Sequence, residues 1–270
     1  MEKESWHPAF YGAIKLELEA YRDSLEFITE YQLNKEPLIM DLLIIKKPAD
    51  LVITKNIATI FKKENIVEYK SPEDYVSIAD FYKVYGYAYL YISLNNIPVT
   101  DVTITFVETR HPRDVLKHLS TVRGYSVEET SSGIYRISGD IIPIQIIESK
   151  KLPEAEDIWL KNLSNDLNSR RLRGIFEESM KRGKDPDVET YLYTVLQANP
   201  EIVKEIKEMS KLTLEEVLED WITEWKTEGL QKGRQEEKLE TARKFKLMGL
   251  SVEQIAAGTD LSIEVIENLK

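Results

Sequence analysis

Cysteine is absent from these 270 residues, which excludes disulfides, thiolate-held metals and cysteine nucleophiles and fits a cytoplasmic setting. Any metal has to be held by oxygen or imidazole. Long hydrophobic runs are missing too. No uninterrupted apolar segment approaches the ~20 residues a membrane span needs, and the opening MEKESWHPAF lacks the basic stretch and apolar run of a secretory leader. No membrane partner is expected. Positive charge is scarce: 36 Lys and Arg stand against 47 Asp and Glu, a net charge of −11. The shortage is even, with 17 basic against 22 acidic residues over 1–150 and 19 against 25 over 151–270. A general nucleic-acid binder with a broad basic surface is disfavoured by these totals, and only a local basic cleft is compatible with them. Internal repeats and low-complexity segments are also lacking.

What is present is a globular composition. Hydrophobic residues make up 42% and charged residues 31%, enough for an apolar core under a heavily charged surface. Residues 8–22 read as a helix, since Pro8 suits a first helical position and Phe10, Ala13, Ile14, Glu17 and Tyr21 recur at helical spacing. Glu17 thereby falls on the apolar face. EFITEYQL (26–33) has strand composition, 34–37 is a turn, and LIMDLLIIKK (38–47) is a nearly continuous apolar strand interrupted by Asp41. A short helix is expected over 55–63, a strand over 65–70 ended by Ser71-Pro72, and a long helix over about 73–93 capped by SPED. DVTITFVE (101–108) alternates like a strand. Residues 112–122 look helical, and a hairpin about Ser131-Ser132-Gly133 precedes a further strand at 141–148.

These elements imply an α/β fold, a mixed sheet flanked by helices in the order helix–strand–strand–strand–helix–strand. The core is expected over about 8–108, with additional strands over 109–150. A helical region follows over 151–240. A compact piece over 241–270 resembles a helix-turn-helix, although its second helix, SIEVIENLK, is acidic and suits protein contact better than base readout. The charged helix before it suits self-association into a homo-oligomer.

Phosphodiester hydrolysis needs an activated water and neutralisation of a highly charged transition state. A divalent metal held by carboxylates serves both, and a lysine beside it adds positive charge. Glu68 and Lys70, two apart in a strand, leave the same face of a sheet. If strands 38–46 and 65–70 pair antiparallel, Asp41 comes opposite them. A lone charge in LIMDLLII is costly unless it is paired or ligates a metal, and Glu17 raises the same question. Glu-x-Lys alone carries little weight, because it occurs five times, at Glu68, Glu148, Glu205, Glu224 and Glu236. The last three fall in helices, where residues two apart do not face each other. Glu148 ends an apolar strand but has no hairpin to bring Asp140 to it. Lys83, on one face of the long helix, is a candidate contact to a substrate phosphate. Five tyrosines between 82 and 91 are better read as packing than as a base-stacking platform. His7, His111 and His118 lack metal-ligand spacing and read as surface or structural residues.

Asp41 followed by Glu68-x-Lys70 in this order of elements resembles the PD-(D/E)xK nuclease superfamily. The segments NKEPLIMDLLIIKK, NIVEYKSPEDYVSIADFYKVYGYAYLY and ARKFKLMGLSVEQIAAGTDLSIEVIENLK are similar to the recombination-promoting nuclease family, whose members are often labelled transposases. The resemblance implies a restriction-endonuclease-like core and Mg²⁺-dependent DNA cleavage, with Mn²⁺ able to substitute. It also implies Asp41 and Glu68 as metal ligands, Lys70 at the attacking water and a helix glutamate, Glu17, as accessory ligand, with Glu19 and Glu30 as rivals. The superfamily's Pro-Asp pair is Met40-Asp41 here. The alternative is a non-catalytic interaction or regulatory protein whose carboxylates are structural and whose C-terminal helices bind a partner or DNA.

Overall fold

The computed structural model describes residues 6–29, 42–182 and 185–202, and, nearer the C-terminus, 238–239, 241–243, 245–246, 251–259 and 261–268. Asp41 and Glu30 lie outside the described residues. The chain divides into two compact units, Met1–Ile206 and Lys207–Lys270. The helices that follow residue 150 up to Ala198 therefore belong with the sheet.

Among the described residues the first unit is α/β, with a seven-stranded mixed sheet in the order β1-β2-β3-β4-β7-β6-β5. The strands are β1 (Glu26–Ile28), β2 (Leu42–Lys46), β3 (Glu64–Tyr69), β4 (Val102–Glu108), β5 (Ser126–Ser131), β6 (Ile134–Ser138) and β7 (Ile144–Glu148). Strands β3, β4 and β7 run parallel at the centre, while β1 and β2 on one side and β6 and β5 on the other pair antiparallel. Parallel neighbours require crossovers, which the helices α2 (Ile78–Asn95) and α3 (Arg113–Thr121) supply. All seven residues of β4 are buried, as expected of a central strand covered on both faces.

The two faces carry different layers. On one, Ile44, Ile66, Ile104, Phe106, Ile144 and Ile146 pack with Phe81, Val84 and Ala88 of α2 and Val115 and Leu119 of α3. The alternate residues Leu43, Ile45, Val67, Tyr69 and Val107 are buried on the other face. There Phe10 of α1 (Trp6–Glu17) stacks on Tyr69 with ring centroids 4.3 Å apart. Helix α1 also packs on α4 (Ile158–Lys161) and α6 (Pro186–Ala198). Gly12 permits this: a Cβ there would stand 2.9 Å from the Asp187 carbonyl oxygen. Between α4 and α6 runs α5 (Ser169–Arg182).

Several expected elements differ in their bounds: the helix expected over 8–22 is α1 followed by a 3₁₀ turn at Glu19–Ser24, and the strand expected over 141–148 starts at Ile144. The segment 55–63 forms only a 3₁₀ turn at Asn56–Ala58. Asn65 reaches back to accept from the Lys62 amide and to donate to the Lys62 and Ile45 carbonyls, so the Lys62 groups are bonded to a side chain instead of to helical neighbours. The long helix starts at Ile78 and not near 73, because Ser71–Asp74 close a turn and the capping box is made by Ser77 and Asp80. It ends at Asn96, which takes the left-handed conformation (φ 52°, ψ 46°) that Asn tolerates well.

The second unit has a small core of Ala242, Ile255, Leu261 and Ile266, packed between two short helices, α7 (Val252–Thr259) and α8 (Ile263–Asn268). No helix among the described residues is long and apolar enough to cross a membrane.

Candidate active site

Strand β3 pairs antiparallel with β2, and Leu42, the residue that follows Asp41 in the chain, is the register partner of Glu68. The expected antiparallel pairing of these two strands is present. Glu68 is 7% exposed and lies on the face covered by α2, since its neighbours Val67 and Tyr69 point to the other side. Lys70 follows just past the strand end, its amide donating to the Val107 carbonyl at 2.8 Å. Its Nζ lies 3.4 Å from Glu68 Oε1. Glu68 and Lys70 thus meet as their spacing requires.

A third group joins them from α2. Lys70 Nζ donates to Asp80 Oδ1 at 2.8 Å and has Asp74 Oδ2 at 3.9 Å. Asp80 is itself held: its Oδ2 accepts from the Ser77 amide at 3.0 Å and from the Ser77 hydroxyl. The residues that cap the helix therefore also fix the lysine. Asp80 was not a candidate on sequence grounds, although a second Ser-x-x-Asp signature, Ser77 to Asp80, precedes the aromatic run and marks the true helix start.

The electrostatics follow from this crowding. Burial pushes the Glu68 carboxyl up, Lys70 and then Lys83 pull it back, and the result is about 7. Burial works against the Lys70 ammonium, but Asp80 and Glu68 outweigh it and hold the group above its ordinary value. Asp80 is below the usual carboxylate range, because the bonds from Lys70 and Ser77 exceed the effect of burial. Lys83 is exposed, within electrostatic reach of Glu68, with its ammonium 5.6 Å from the centre of the Tyr87 ring.

Glu17 requires a correction, since the structure does not bring it to Glu68 and Lys70. It sits on the opposite face of the sheet with α1. Its Oε1 accepts from the Trp159 and Leu160 amides at 2.8 and 3.0 Å, at the start of α4. Its Oε2 pairs with Lys55 Nζ at 2.8 Å, and the same ammonium lies 3.0 Å from Asp157 Oδ1. The apolar helix face does bury Glu17, but toward two backbone amides and a lysine and away from Glu68 and Lys70. Of its rivals, Glu19 is exposed and paired with Arg22 and Arg182. His111 bonds to Glu148 and Tyr135, and His118 to Tyr82, as structural histidines do.

A second raised carboxyl lies two residues beyond Phe106, the register partner of Glu68. Glu108 is 1% exposed; its Oε2 accepts from the Val76 amide at 3.2 Å, and its Oε1 has no hydrogen-bond partner among the described residues. Burial, with Glu148 across the strand pair adding to it, moves its carboxyl up to about 7. The consequence for stability has a definite sign. Between the ordinary value of 4.5 and about 7 the folded state holds a proton that the unfolded state has lost, so stability falls as pH rises through that window. Glu108→Gln is expected to flatten part of this decline and to raise stability at pH 8 by about 1–3 kcal/mol, since one pKa unit corresponds to about 1.4 kcal/mol. Urea unfolding at pH 5 and pH 8 measures both effects.

No protein-family model matches the chain, and no curated protein or solved structure matches it either. Glu68 offers hard carboxylate oxygens of the kind that Mg²⁺ and Mn²⁺ accept. A carboxyl near 7 is half protonated at neutral pH, and a divalent cation would displace that proton. Among the described residues no group of three His, Asp or Glu side chains is arranged to hold a metal by itself; a site here needs a ligand from Asp41 or from solvent and substrate.

Proposed function

We propose that this chain is a metal-dependent DNA endonuclease with a restriction-endonuclease-like core, the reading implied by its resemblance to the PD-(D/E)xK superfamily. The observation that carries it is the convergence of Glu68 and Lys70 at the end of β3, 3.4 Å apart, with the backbone of Leu42 paired to Glu68 and Asp41 next to it in the chain. Asp41 and Glu68 are the proposed metal ligands, and Mg²⁺ or Mn²⁺ bound there would polarise the scissile phosphate and lower the pKa of a water. The protein's own groups do the rest. Lys70, held as a cation, places a hydrogen-bond donor and a positive charge where the phosphorane charge develops. Lys83 adds a second positive charge on the α2 side, within reach of a substrate phosphate. Glu17 is not included, and a link to recombination or mobile elements rests on the family resemblance alone.

Supercoiled plasmid incubated with the protein and Mg²⁺ or Mn²⁺ is expected to be nicked, and not when EDTA is present. Glu68→Ala is expected to abolish nicking while circular dichroism and thermal unfolding show an intact fold. Equal cutting by the variant and the parent, or no cutting by either, ends the nuclease reading.

A further inference from the structure

Helix α2 covers one face of the sheet, and its outer side is unlike a surface of so charged a chain. Nine of its residues between Ile78 and Leu94 are exposed. At about 100° of rotation per residue they all fall within one arc of about 160° centred on Gly86. Only one of the nine, Lys83, is charged, although 31% of the chain is. Five are large and apolar: Ile78, Tyr82, Tyr89, Leu90 and Leu94, between 37% and 61% exposed. The sole acid of the helix, Asp80, is engaged with Lys70 and Ser77.

The fold of the monomer does not account for this face. Tyr91 is buried, and Tyr85 and Tyr87 pack partly against the core beneath the helix, but Tyr82 and Tyr89 turn outward. Their hydroxyls already have partners: that of Tyr82 meets His118 Nε2 at 2.9 Å, and that of Tyr89 meets the Tyr85 hydroxyl at 3.3 Å. The rings can therefore be covered without stranding a polar group. Glycine inside a helix is unfavourable relative to alanine, yet a Cβ at Gly86 would meet nothing within 4 Å. Close approach by another molecule is what a bare backbone at the middle of this face permits.

A second copy of this chain fits the face in pattern, charge and size. Tyr82 and Tyr89 share one flank of the arc, and Lys83 and Leu90 share the other, each pair standing about one turn to either side of Gly86. An antiparallel pair of α2 helices, related by a two-fold axis beside Gly86, thus sets Tyr82 of one copy against Tyr89 of the other, and Lys83 against Leu90. Such self-complementarity is what an isologous contact requires. Aromatic pairing and the aliphatic stem of lysine over leucine are both favourable, with the ammonium left at the rim near the Tyr87 ring. Each copy carries a net charge of −11, so contact is least opposed on a face that holds no acid. With about 200 Å² for a fully exposed large side chain, the five apolar residues expose on the order of 450 Å², a size at which apolar patches mark interaction sites. Val122 and Ile141, 68% and 57% exposed, extend it, since their neighbours Arg123 and Asp140 both bond to the Tyr85 hydroxyl. A standard interface buries about 800 Å² on each partner.

We propose that the outer face of α2 is a homodimer interface in which two copies pack their α2 helices antiparallel across a two-fold axis at Gly86. The contact lies in the first unit and is separate from the self-association expected of the C-terminal helices. It rests on the fold and is independent of the nuclease reading.

The oligomeric state of the full-length protein tests it. Sedimentation velocity over a concentration series at physiological salt is expected to show a monomer–dimer equilibrium with a micromolar or tighter dissociation constant. Gly86→Lys places its side chain in open space in the monomer but sets two ammonium groups against each other at the axis. The dissociation constant should rise by about a hundredfold or more, with the far-ultraviolet circular dichroism unchanged. Leu90→Glu should weaken the dimer in the same direction. Because the chain has no cysteine, Gly86→Cys offers one thiol per copy, and mild oxidation should convert most of it to a disulfide-linked dimer. Glu177→Cys, exposed on α5 in the opposite layer, should give little. A parent that stays monomeric across the series overturns the proposal. A dimer unaffected by both Gly86→Lys and Leu90→Glu overturns it as well, and so does cross-linking at position 86 no greater than at 177. Sedimentation of a monomeric parent with phosphatidylcholine vesicles, lost in Gly86→Lys, would also overturn it and assign the face to a lipid surface.

Discussion

Lys70→Met is expected to reduce Mg²⁺-dependent nicking by about a hundred- to a thousandfold, the usual cost of removing one preorganised donor aimed at developing charge. Methionine keeps the length and much of the volume of the side chain but removes the ammonium that stands 3.4 Å from Glu68 and 2.8 Å from Asp80. Loss of that cation also removes the largest influence opposing burial at Glu68, so its carboxyl moves above 7 and stays protonated at neutral pH. A protonated carboxyl is a poor metal ligand. Part of the loss should therefore be recovered by raising the pH from 7 to 8.5 at saturating Mg²⁺, whereas the loss of transition-state stabilisation persists at every pH. Lys70→Arg keeps the charge on a larger planar group and should retain a measurable fraction of the rate. Rates from plasmid nicking across that pH range decide the matter. A Lys70→Met protein that remains folded and cuts as fast as the parent would mean that the ammonium serves only to pair two acids.

Lys55→Met is expected to destabilise the first unit by about 3–5 kcal/mol, the range seen when one partner is removed from a buried ion pair. Lys55 bridges two carboxylates with almost no solvent access: Glu17, whose side chain is 2% exposed, and Asp157, at 0%. Burial already pushes Glu17 upward, and Lys55 is the main opposing influence. Without it, Glu17 shifts further up and its burial as an anion becomes costlier. The sign follows: a carboxyl raised in the folded state gives up relative stability as pH climbs through its titration. The deficit of the variant should thus be smallest near pH 4 and grow toward neutrality, as urea midpoints at several pH values would show. Glu17→Gln separates the roles left open on sequence grounds. Its amide oxygen can still accept from Trp159 and Leu160, so nicking per folded molecule should stay within about twofold. A loss on the order of 10–100-fold or more, the scale at which even outer-shell partners of a metal act, would return Glu17 to the metal site.

Much of the first unit was legible because local chemistry and tertiary packing agree there. The segments 42–46, 64–69, 102–108 and 144–148 form strands since short runs rich in Ile, Val and Leu suit a sheet buried on both faces. The hairpin about Ser132-Gly133 follows from its turn chemistry, with Gly133 at φ 78° and no room for a Cβ beside the Glu148 carbonyl. Period-two geometry is enough to place Glu68 and Lys70 on one side of the strand.

The rest depended on what lies across space. Periodicity showed that Glu17 is buried, but not whether metal, amide or lysine would meet it, because the partners that decide this, Lys55, Trp159 and Leu160, come from distant segments of the chain. The same holds for Asp80, whose link to Lys70 exists only because the capped start of α2 is folded back over the end of β3. Sequence by itself determined the strands, their alternation and the pairing of glutamate with lysine, since those depend on neighbours a few residues away. Tertiary structure decided which buried charges meet, since an ion's partner is set by distance in space.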